Sequence, residues 1–170
     1  VVRASFDNLN QRTEIVYDVR PGSGSVDPIP LLLIGSPMGA GGFGTLASHF
    51  ADRTVITYDP RGSERSTKDD PGSESNPDQH ADDLHRIIAE VGGPVDLFSS
   101  SGGAVNALAL VAAHPEDVRT LVAHEPPLAT ILPDSPDLLS VVAFVKIVIS
   151  LTWLVVISRI LNMGVAWHRF

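Results

Sequence analysis

Leu31-Leu32-Leu33-Ile34 is an uninterrupted apolar run held between Pro30 and Gly35. In an extended segment successive side chains point to opposite faces, so this run is apolar on both faces of any sheet it joins. Both faces then need covering, and a parallel sheet with helices on each side meets that need. Similar short runs stand at residues 54–58, 95–98 and 118–123, and residues 13–19 mix β-branched and aromatic side chains. Between them, Leu84, Ile87, Ile88 and Val91 recur at helical spacing over residues 80–91, and residues 102–113 are rich in Ala and Leu. Residues 45–50 suit a short helix, and residues 61–79 are polar and turn-rich, as a surface loop would be. The pattern predicts an α/β fold with a parallel twisted sheet and crossover helices. In such sheets the chemistry lies beyond the carboxyl ends of the strands, where Gly35, Asp59, Ser101 and Glu125 fall.

Composition narrows the function classes. The formal charge is −8 and no Lys/Arg-rich run occurs, which argues against a nucleic-acid partner. The chain has no cysteine, so disulfides, thiolate metal sites and cysteine nucleophiles are excluded together. Residues 1–11 lack a basic segment followed by an apolar stretch, so no secretory signal is read and a cytoplasmic location is expected. The character changes after Asp137: residues 138–157 carry one charge, Lys146, in an apolar stretch long enough to span a bilayer. A charge near the middle of a span is costly. The expected organisation is therefore an α/β core over residues 1–137 and an apolar cap, lid or association segment over residues 138–170, with membrane contact disfavoured.

Phe98-Ser99-Ser100-Ser101-Gly102-Gly103 joins a predicted strand to a predicted helix. A nucleophile elbow at such a junction needs small residues two places before and two places after the nucleophile. Ser99 as nucleophile would put Leu97 in that crowded position, and Ser100 would put Phe98 there; only Ser101 has small residues on both sides, Ser99 and Gly103. The competing reading is a plain serine cap at a helix start.

Four segments, in order and at matching spacing over about residues 13–135, resemble the α/β-hydrolase superfamily, and more closely its bacterial esterase-like and cofactor-free haloperoxidase-like branch. They are Leu31-Leu32-Leu33-Ile34-Gly35-Ser36-Pro37-Met38, Tyr58-Asp59-Pro60-Arg61-Gly62-Ser63-Glu64-Arg65-Ser66, the elbow, and Leu121-Val122-Ala123-His124-Glu125-Pro126-Pro127. The resemblance implies an esterase-like serine hydrolase acting on a small ester or related acyl compound, with Ser101 as nucleophile and no metal or organic cofactor. It implies that the N–H groups of Gly102 and Ser36 form the oxyanion hole. The chain departs from the pattern at Ile34, where many members have His, at Glu64, which replaces a Gly, and at Ser99, which replaces the first Gly of G-x-S-x-G.

In the family the acid and then the histidine follow the serine, and the histidine comes after the last strand. The resemblance ends before those strands, so a truncated fold is expected, with the base outside this chain. Glu125 stands where some members carry the acid; the competing reading is a turn residue before Pro126-Pro127. Of His49, His80, His85, His114, His124 and His168, none matches the family position; His80 and His85 are expected to be solvated on a polar helix, and His124 to be structural. A bare edge at residues 118–123, or the apolar C-terminal segment, suggests self-association as a homo-oligomer. The rivals are a catalytically inactive fragment acting in association and a membrane-tethered form.

Overall fold

The computed structural model describes residues 2–8, 11–24, 29–68, 70 and 72–127. All the elements below lie in one unit, Val1–Pro126. The strands are β1 (Val2–Asn8), β2 (Gln11–Arg20), β3 (Leu31–Ile34), β4 (Val55–Tyr58), β5 (Val95–Ser100) and β6 (Val118–His124). The helices are α1 (Gly44–Ser48), α2 (Pro77–Val91) and α3 (Gly102–Ala113), with 3₁₀ turns at Ala40–Phe43 and Pro115–Asp117.

The strands form one sheet in the order β1-β2-β4-β3-β5-β6. From β4 to β6 it is parallel with crossover helices, as the apolar runs require. The expectation of a parallel sheet needs correction at one edge, where β1 and β2 pair antiparallel and β2 runs antiparallel to β4. A short connection can return a strand only antiparallel to its neighbour, and β1 and β2 are separated by two residues.

The run in β3 is buried on both faces. Leu32 and Ile34 pack with Leu84, Ile87 and Ile88 of α2 and Ala107 and Leu110 of α3. Leu31 and Leu33 face the other way, onto Phe43, Leu46 and Phe50 around α1. Alternating side chains of one short strand therefore hold both helical layers to the sheet.

Helix α2 starts three residues before the apolar periodicity does. Asn76 caps it: Gln79 N–H donates to Asn76 Oδ1 at 2.9 Å, and Asn76 N–H donates to Gln79 Oε1 at 3.1 Å. Pro77 takes the first helical position, where its missing N–H costs nothing. Gly92 ends the helix in the left-handed conformation, φ 83°.

Among the described residues β6 pairs with β5 alone and forms the sheet edge; its Val122 is 52% exposed. No helix of the described residues is long and apolar enough to cross a membrane. Residues 138–157, and with them the expected cap or association segment, lie outside the described residues.

Candidate active site

Ser101 sits between the last residue of β5 and the first of α3 with φ 57° and ψ −128°. This conformation is rare for a residue with a Cβ and costs on the order of 1–3 kcal/mol, so its surroundings must enforce it. Two backbone bonds help: Ser101 N–H donates to the His124 carbonyl at 3.0 Å, and the Ser101 carbonyl accepts from Ala104 N–H at 2.9 Å. The first ties the elbow to the end of β6 and the second starts α3.

The small residues around Ser101 act differently from the simple expectation. A Cβ on Gly103 would lie 2.8 Å from Gly35 Cα, 2.9 Å from Gly35 C and 3.0 Å from the Ile34 carbonyl oxygen. A Cβ on Gly102 would lie 2.8 Å from the Ser36 carbonyl oxygen. The crowding is thus against the Ile34-Gly35-Ser36 segment. Ser99 points elsewhere; it is fully buried and its hydroxyl donates to the Val122 carbonyl at 3.1 Å. That bond satisfies the buried hydroxyl of a serine standing where the motif has glycine.

The same packing places Ser36 directly against Gly102. Gly102 N–H is among the first amides of α3, which the helix leaves without internal partners. The helix dipole adds positive potential there.

The loop after β4 fixes this arrangement from behind. The Asp59 carboxylate is buried; Oδ1 accepts from Ala40 N–H at 2.8 Å and Oδ2 accepts from Arg65 Nε at 2.5 Å. Arg65 also donates to Asp18 Oδ2 at 2.7 Å. Ser66 Oγ donates to the Asp59 carbonyl at 2.7 Å and accepts from Val16 N–H at 2.9 Å. Asp59 is therefore a positioning residue for the Gly-rich loop after β3, a role the sequence marked only as a strand-end acid. Glu64, in the place of a family glycine, keeps a positive φ of 50°. The loop is also less solvated than its composition suggests: Arg61 forms a bidentate pair with Asp83 of α2, both contacts 2.7 Å.

A cleft of about 480 Å³ lies beside this loop, lined by Asp18, Met38, Ala40, Asp59, Glu64 and Arg65 among others. Ser101 does not line it. Asp18 and Asp59 in its wall are paired through Arg65, so this side of the cleft belongs to the loop scaffold rather than to the elbow.

No histidine among the described residues hydrogen-bonds Ser101 Oγ. His124 Nδ1 lies 3.3 Å from Ser100 Oγ, and its ring stacks on Phe98 at 6.2 Å between centroids. Glu125 follows at φ 49°, one residue beyond the carbonyl that holds Ser101. His80 departs from expectation, being buried at 8% exposure with Nδ1 unpartnered. Burial first, and then the cations Arg61 and Lys68, push its pKa down to about 4. His85 is half-buried and bonds Asp117. His49 is exposed, and His168 lies outside the described residues.

Comparison with known proteins agrees with this fold. An uncharacterized hydrolase of Bacillus subtilis strain 168, YraK, is 42% identical over 120 residues, which cover 69% of this chain and 43% of that protein. An α/β hydrolase from Sphaerobacter thermophilus is 28% identical with a TM-score of 0.59, covering 73% of this chain and 45% of that one. The chain is similar to part of an α/β hydrolase. A structure described as a putative epoxide hydrolase from Pseudomonas aeruginosa shares the fold at 21% identity and a TM-score of 0.54, covering 71% of this chain and 39% of its own. No protein-family model matches. The chain spans less than half the length of these relatives.

Proposed function

We propose that this chain carries the nucleophile and oxyanion hole of a serine hydrolase acting on a small ester or related acyl compound. The observation that carries the reading is the strained elbow at Ser101 with Gly102 packed against Ser36. Ser101 Oγ attacks the acyl carbon, the carbonyl oxygen takes the negative charge, and the N–H groups of Gly102 and Ser36 stabilise it. The alcohol leaves and water then cleaves the acyl-serine ester. The Ser101 proton needs a base, which in this family is a histidine oriented by an acid. Glu125 is the candidate acid, by its position after β6.

The epoxide-hydrolase neighbour raises a rival substrate class, and the nucleophile decides against it. A serine that opened an epoxide would remain as an ether, which water does not cleave. An acyl-serine is an ester and turns over.

Imidazole supplied in solution tests the reading. It should accelerate p-nitrophenyl acetate hydrolysis by this chain beyond the rate with Ser101→Ala, because it can accept the Ser101 proton, which no histidine among the described residues is bonded to take. Equal rates for the two proteins would remove Ser101 from the reaction.

A further inference from the structure

His85, His114 and Asp117 come together far from the elbow. His85 lies on α2, His114 follows the last residue of α3, and Asp117 closes the 3₁₀ turn that leads into β6. His85 Nδ1 is 2.7 Å from Asp117 Oδ2, and the two imidazoles stack at 3.8 Å with 12° between their planes. One ring nitrogen from each histidine and one Asp117 oxygen all lie within 4.8 Å of one another.

We propose that these three side chains bind one divalent transition-metal ion of the zinc class. Two imidazole nitrogens and a carboxylate suit Zn²⁺ and its neighbours and are poorly matched to Mg²⁺ or Ca²⁺, which prefer oxygen alone. Tetrahedral zinc holds its nitrogen and oxygen ligands at about 2.0–2.2 Å, which sets donors roughly 3.4 Å apart, so the two half-buried rings must turn out of their stack to bring the donors together. The Asp117 side chain is largely buried, at 11% exposure, while the rings of His85 and His114 reach solvent, so the site is both anchored and open to an ion. Water completes the coordination, or Glu116, whose carboxylate stands 3.8 Å from His114 Nδ1. The chain has no cysteine to compete for the ion.

The site serves the fold rather than the chemistry. Ser101 precedes α3 and His114 follows it, and a helix of that length separates its ends by about 18 Å. Bound metal would clip α2, the end of α3 and the entry to β6 together. The sequence reading implied no metal, because it concerned the acyl chemistry and because His85 was assigned to a solvated face.

The test uses the untagged 170-residue chain, treated with chelator and titrated calorimetrically with ZnCl₂ and with MgCl₂ at pH 7.5. One equivalent of Zn²⁺ should bind, Mg²⁺ should not, and Zn²⁺ should raise the melting temperature. His85→Gln and His114→Gln should each weaken Zn²⁺ binding at least tenfold, while His49→Gln leaves it unchanged. His85→Gln keeps an N–H donor for Asp117. Each melting shift is read on one protein with and without metal, so a loss of basal stability cancels. Absence of saturable Zn²⁺ binding, or binding that survives both site substitutions, would overturn the proposal.

Discussion

A Cβ placed on Gly103 would stand 2.8 Å from the Cα of Gly35, so the start of α3 and the loop after β3 meet backbone to backbone. Neither side of that contact is a flexible side chain that can move aside. Gly103→Ala should therefore destabilise the fold by about 1–3 kcal/mol, the usual range for overpacking. It should also push Ser36 away from Gly102 and lower any Ser101-dependent rate. Urea unfolding checks the first effect and p-nitrophenyl acetate hydrolysis the second. A substitution as stable and active as the parent would show that the elbow tolerates the bulk.

His80 makes stability depend on pH. An unfolded histidine takes up its proton near pH 6.5, whereas folded His80 stays neutral down to about pH 4. Between those values the unfolded state binds more protons, so stability rises with pH there. The contribution is fully present above about pH 6.5 and is lost as pH falls toward 4. In His80→Gln this dependence should vanish, and the stability difference between the two proteins should change by roughly 3 kcal/mol between pH 7 and pH 4. Urea midpoints for both proteins across that range measure it. Parallel profiles would mean that His80 titrates normally.

The pair Arg61–Asp83 is nearly dry, with side chains 9% and 2% exposed. Burial raises the Asp83 carboxyl above its ordinary range, and the Arg61 guanidinium opposes that rise. Removing one partner leaves a buried charge without its counterion. Arg61→Met should cost about 3–5 kcal/mol, and the double change Arg61→Met with Asp83→Leu should cost much less than the sum of the single changes. Denaturant unfolding of the four proteins in this cycle gives the coupling, and strict additivity would contradict the assignment.

The parts of this molecule legible in its sequence are those fixed by local pattern. The double-faced run in β3, the span of α3 and the small residues around Ser101 each follow from adjacent side chains. The antiparallel edge was not read: β1 is held by its pairing with β2, a relation that no local pattern over residues 13–19 announces. The Asn76-Pro77 start of α2 falls in the stretch read as surface loop, because the apolar spacing begins only later in the helix. Tertiary relations were not legible. Gly103 meets Gly35 across 68 positions of chain, and His85 meets Asp117 across 32, as the packing of α2 on α3 brings them together. His80 looked solvated because its neighbours Asp78, Gln79 and Asp82 are polar, yet it lies on the buried side of α2.

The central claim is that the fold makes one serine, Ser101, a nucleophile, and covalent labelling tests it most directly. The chain is incubated with a fluorophosphonate and the adduct is located by peptide mass spectrometry, alongside Ser101→Ala and Ser100→Ala. General-base assistance is typically worth about 10²–10⁴-fold, and no histidine among the described residues is bonded to Ser101, so labelling should be slow. The account predicts a single adduct on Ser101, lost in Ser101→Ala and kept in Ser100→Ala. An adduct on Ser99 or Ser100, labelling spread over many serines, or no adduct at all would contradict it.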